Sequence, residues 1–146
     1  MSNKITINTG FKTYDLVNEN DELMGKISFN PSDTNITHRY KKVVEDLEKL
    51  DFDAEVKETD DAEDIAESIR KLDDLIYEKI DYLVNANIAE TFFSIMGPFT
   101  LLATGQYFIE TVIDTIGQII TQETGVRVKK MTKRIQKHTG KYHGRK

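Results

Sequence analysis

The stretch AETFFSIMGPFTLLATGQYF, residues 89–108, is the most apolar part of a chain otherwise rich in charge. Spanning a membrane takes ~20 continuous apolar residues. This run is broken in its middle by Gly97-Pro98, with Glu90 near one end and Gln106 and Glu110 at the other. It must therefore bury itself against protein. Pro98 cannot continue a helix and Gly97 can adopt a left-handed cap, so the stretch reads as a helix–break–helix corner. A short helix is expected over residues 88–96, and a long last helix from residue 99 or 106 to 122. Val112, Ile116, Ile119 and Ile120 define the inner face of the long helix, while Glu110, Asp114 and Gln118 are expected to face water.

Upstream of the corner the periodicity is also helical. Asn85-Ala86-Asn87 interrupts a helix expected over residues 60–84, in which Ile65, Ile69, Leu72, Ile76, Ile80 and Leu83 form a stripe. Near-heptad spacing of this kind suits packing against another long helix. Asp60 with Glu63 has the spacing of a capping box, and Asp61 and Asp64 place negative charge where the helix dipole favours it. An earlier stripe of Ile36, Tyr40, Val43, Val44, Leu47 and Leu50 follows Pro31, with Ser32 or Asp33 available as cap. The first thirty residues alternate instead. KITIN, KTYDLV and MGKISF read as strands, the last two joined by the turn-forming NENDE. The expected fold is α+β and predominantly α: an N-terminal β-hairpin or small antiparallel sheet, then three to five helices. Residues 1–125 are expected to form one globular domain (1–30 β, 31–124 α) and 126–146 a basic C-terminal tail.

Charge divides the chain sharply. After Glu123 there is no acid but nine bases, and removing those nine from the 20 Lys and Arg leaves 11 against 25 acidic residues, a net −14. A body of −14 with a tail of +9 points to an interaction tail, for nucleic acid, for an acidic partner or for the protein's own body. Such units can stack head to tail in an open array. The tail has one aromatic residue, Tyr142, for base stacking, and no zinc-finger or recognition-helix signature accompanies it.

Catalytic chemistry finds little support. With no cysteine there is no thiolate nucleophile and no disulfide framework. His38 lies in an amphipathic helix, and His138 and His143 lie among cations that oppose metal binding. No glycine-rich phosphate loop occurs, and the acids of residues 51–64 read as a solvated loop and helix start. The expectation is a non-enzymatic protein without metal or cofactor, and MSNKITINTG lacks the apolar core of a signal peptide, which makes a cytoplasmic setting the default. For Phe92, Phe93, Met96, Phe99 and Leu102 the plain reading is core. The cluster nonetheless holds more large apolar groups than one face of a corner buries, so part of it is expected at a surface patch of the kind that marks a partner site.

Three segments carry a family resemblance: ISFNPSDTNITHRY (27–40), FFSIMGPFTLLATGQYFIETVID (92–114) and the lysine-rich KHTGKYHGRK (137–146). Together they resemble the tail assembly chaperones of long-tailed phages (siphoviruses) and prophages of low-GC Gram-positive bacteria, over residues 5–142. The resemblance implies a protein of the bacterial host cytoplasm, absent from the mature virion. It would self-associate, coat the tape-measure protein to keep it soluble, and help bring tail tube subunits to it. It also implies that Phe92, Phe93, Met96, Phe99 and Leu102 form the apolar contact, and that Arg127, Lys130, Lys133 and Arg134 contact a neighbouring copy or a tube subunit. The alternative is a small nucleic-acid-associated phage or regulatory protein acting through its basic tail.

Overall fold

In the computed structural model, which describes residues 2–51, 61–128 and 135, the chain forms two strands and then four helices among the described residues. These are β1 (Lys12–Val17), β2 (Leu23–Phe29), α1 (Ile36–Glu48), α2 (Ala62–Val84), α3 (Ala89–Ile95) and α4 (Phe108–Thr124). The fold is α+β, with the small antiparallel sheet at the N-terminal end. Strands β1 and β2 pair from Lys12↔Phe29 to Leu16↔Gly25, and a bulge follows at Leu16/Val17. The Asn18 side chain organises the turn, its Oδ1 accepting from the Asn20 and Glu22 amides at 2.9 and 3.0 Å. This is the Asx-type chemistry that makes asparagine a turn former. One face of the hairpin is packed: Ile27 and Phe29 are buried, and Tyr14 and Leu16 pack half-buried against the same core.

The α1 stripe is buried from Ile36 to Leu47, and α1 packs chiefly on α2. An ion pair between Lys79 and Asp46 at 2.9 Å joins the two helices at their rim. Along α2 the stripe is buried at Leu72, Ile76, Ile80 and Leu83 but half-buried at Ile65 and Ile69. The helix ends at Asn85, whose positive φ of 53° suits an asparagine. Helix α4 then crosses α1, with Ile109, Val112, Ile113, Ile116 and Ile120 in the core. Beside the sheet, β2 meets α3: a Cβ on Gly25 would stand 2.7 Å from the Thr91 methyl.

Several local expectations give way to the structure. KITIN forms no strand, and Ile5 and Ile7 are 87% and 74% exposed. Helix α1 begins at Ile36 rather than near Ser32. Asp33 acts just upstream of it, accepting the Asn35 amide at 2.9 Å and pairing with Arg39 at 3.1 Å. At α2 the cap is Asp61, which accepts the Glu63 amide at 2.9 Å. Asp60, the other half of the expected box, lies outside the described residues. Gly97 is not among the residues with positive φ; α3 ends where Met96 turns extended (φ −163°, ψ 161°), two residues before Pro98, which cannot continue a helix. The last helix starts at Phe108, leaving residues 97–107 as a loop. Glu110, expected to face water, is fully buried: its carboxylate reaches back to the Tyr107 amide at 2.8 Å and so caps the start of α4. A carboxylate used in this way belongs at the helix end, whichever face it would otherwise prefer.

Candidate partner-binding surface

The corner is built by backbone hydrogen bonds more than by side chains. The first amides of α4 need acceptors that the helix itself cannot supply. The loop provides them, the Thr100 carbonyl accepting from Phe108 and the Pro98 carbonyl from Ile109, each at 2.9 Å. A tight turn follows Leu102, closed by Leu102 N–H to Gln106 O at 2.8 Å and Gly105 N–H to Leu102 O at 2.9 Å. Gly105 sits there at φ +89°, a conformation that costs glycine little. Leu101 faces Tyr107 across a single antiparallel bridge. The loop is therefore folded back over the N-terminus of α4 and held as a unit.

At the other end of the corner, Asp81 of α2 performs the same service for α3. Its Oδ1 accepts from Ile88 and Ala89 at 2.9 and 2.8 Å. Helix α3 has only seven residues and no side-chain cap of its own, so a carboxylate from the previous helix fixes where it starts.

The structure divides the predicted apolar contact residues in two. Phe92 and Phe93, each 6% exposed, belong to the core, which is their plain reading, and the contact role that the resemblance implies for them has no exposed surface there. Phe93 lies 5.2 Å from Tyr77 and meets Phe108 edge-on at 6.0 Å, an arrangement that aromatic rings favour. They are buried because α3 lies between α2 and β2 and presents them to the body. Met96, Phe99 and Leu102 are half-buried. Phe99 packs edge-on against Tyr107 at 5.5 Å and also touches the side group formed by Leu50, Ile65, Ile69 and Leu72. Leu101, which is not among the predicted contacts, is 54% exposed. The surface part of the corner is thus Met96, Phe99, Leu101 and Leu102. Its sequence signal lay at and after the Gly97-Pro98 break, where the chain no longer has a helix face to bury.

Of the predicted basic contacts, Arg127 is exposed, whereas Lys130, Lys133 and Arg134 lie outside the described residues. Ile135, the one described residue beyond Val128, is 1% exposed and belongs to the main core cluster. The basic segment is therefore tied to the body at that point.

Electrostatics adds one feature. Asp73 of α2 is half-buried, its Oδ1 has no hydrogen-bond partner among the described residues, and burial, helped by the adjacent Asp74 carboxylate, pushes its pKa from 3.8 up to about 6. A raised carboxylate can accompany acid–base chemistry, but among the described residues no group of three or more metal-ligating side chains gathers near it or elsewhere. Exposed His38 has no part in such a cluster. No described helix is long and apolar enough to cross a membrane. No family model, curated protein or solved structure matches the chain.

Proposed function

We propose that this protein is a tail assembly chaperone of a long-tailed phage or prophage, a non-enzymatic holdase for the tape-measure protein that also engages tail tube subunits and further copies of itself. The observation that carries this reading is the corner. A hydrogen-bonded loop on an acidic body holds Met96, Phe99 and Leu102 half-buried and Leu101 exposed, which is apolar surface presented by a rigid frame. Methionine and aromatic groups adapt to varied apolar segments, and the net negative body keeps a chaperone with exposed apolar surface in solution. A holdase of this kind stabilises its client by mass action. The protein would act in the host cytoplasm and leave before the tail is complete. The basic segment, through Arg127 and its neighbours, would contact the acidic face of a tube subunit or of another copy.

The test is co-purification with the tape-measure protein of the same genome, comparing the natural chain with Leu101→Asp. Because Leu101 is already exposed, that change leaves the fold intact. Client capture by the natural chain and its loss in Leu101→Asp support the reading. No capture, combined with salt-sensitive binding of DNA or RNA through the basic segment, would replace it with the nucleic-acid alternative.

A further inference from the structure

The N-terminal arm and the hairpin share a spacing that the single chain does not use. Ile5 and Ile7 alternate in sequence, both exposed, along an arm that has no strand partner among the described residues, while Tyr14 and Leu16 alternate on the core-facing side of β1 and remain half-buried. Each strand's only backbone ladder among the described residues is with the other, so no described strand pairs with the outer edge of β1. Open edges are templates for strand addition. The arm is also held away from that edge in its own chain. The Asn30 side-chain amide, just past β2, donates to the Thr9 carbonyl at 2.9 Å, and the Asn8 side chain accepts the Gly10 amide at 3.0 Å with Gly10 at φ +70°. Thr9 is thereby fixed on the β2 side of the hairpin, opposite the free edge of β1.

We propose that residues 4–8 add as an antiparallel third strand to the outer edge of β1 of a second copy, with Ile7 opposite Tyr14 and Ile5 opposite Leu16. Directly opposed residues in an antiparallel pair share a face, so this register places both isoleucines on the core side, beside the two residues that are only half-covered. The same register sets Lys4 opposite Val17, next to a turn that carries Glu19, Asp21 and Glu22. The arm from residue 2 to 11 has Lys4 and no acid, so charge complementarity reinforces the apolar match. The second copy is the occupant because this chain carries both halves of the match, while the Asn30 tie keeps them apart within one molecule. One five-residue strand is a small interface; reciprocal exchange doubles it and closes a two-fold dimer. The inference stands independently of the chaperone reading.

The experiment is light-scattering mass of the full chain across a concentration series, with amide exchange at residues 4–8. The natural chain is expected to self-associate and to protect those amides as concentration rises. Ile5→Asp/Ile7→Asp, at positions exposed in the single chain, weakens association at least ~tenfold with unchanged circular dichroism. Thr6→Pro, which keeps the isoleucines but removes a ladder amide, does the same. Three outcomes overturn the proposal: a natural chain that is monomeric at every concentration, a Thr6→Pro variant of unchanged mass, or protection of residues 4–8 in the monomer, which would make the arm a third strand of its own sheet.

Discussion

Tyr40 of α1 lies across Gly117 of α4 so closely that a Cβ on the glycine would stand 2.5 Å from the phenolic oxygen and 2.9 Å from the ring carbon bearing it. Tyr40 is 1% exposed and its hydroxyl donates to the Ile113 carbonyl at 3.4 Å, so it has nowhere to retreat. The absence of a side chain at Gly117 therefore sets how near α1 and α4 approach. In an open helix Gly→Ala gains up to ~1 kcal/mol; here overpacking of ~1–3 kcal/mol opposes it. Gly117→Ala is expected to lose about 1 kcal/mol net in denaturant unfolding, with partial recovery when combined with Tyr40→Phe. A stabilised Gly117→Ala would show that the helices sit further apart.

Asp81 supplies the acceptor for two amides at the start of α3. Asp81→Ala should cost ~1–2 kcal/mol, and Asp81→Asn, which keeps one acceptor oxygen, distinctly less. Faster amide exchange at Ile88 and Ala89 in the alanine variant would report the same loss locally.

The division of the apolar stretch into interior and surface can be read by stability alone. Phe93→Ala removes a buried ring from the Tyr77–Phe93–Phe108 group and should cost about 3 kcal/mol. Leu101→Asp, at a position 54% exposed, should remain within ~0.5 kcal/mol of the natural chain. Equal losses would mean that the loop is packed as core.

Asp73 makes the stability depend on pH in a direction opposite to that of a paired carboxylate. Its folded pKa of about 6 exceeds the unfolded 3.8, so the folded protein binds the proton more tightly. The contribution from protonation is complete below pH ~4 and is lost as pH rises through ~6. Discounted for partial exposure, the charged form costs ~1 kcal/mol at pH 7. Asp73→Asn should melt higher than the natural chain at pH 7, and the two should converge as pH falls toward 4. A gap that persists at pH 4 would assign the effect to something other than this proton.

Periodicity made the helices legible, because a stripe such as Tyr40–Val43–Val44–Leu47 has one geometry that buries it. The proline located the corner for an equally local reason. What periodicity could not assign were residues whose role depends on a distant partner. Glu110 looks like a water-facing acid until Tyr107 is seen to need its carboxylate, and Asp81 resembles its acidic neighbours on α2 until α3 starts beside it. Phe92 and Phe93 looked too numerous for one face because β2 and α2 both pack on α3, which no spacing within the stretch records. The alternation at Ile5 and Ile7 is strand-like, yet a strand exists only where an edge is presented to it.

In the proposed function, the exposed part of the corner holds an extended apolar client. The most direct measurement is the light-scattering mass of the soluble complex obtained by co-expression with the tape-measure protein of the same genome. A mass corresponding to many copies per client is expected, reduced to free protein by Leu101→Asp. A client that aggregates beside an unbound natural chain would contradict that function.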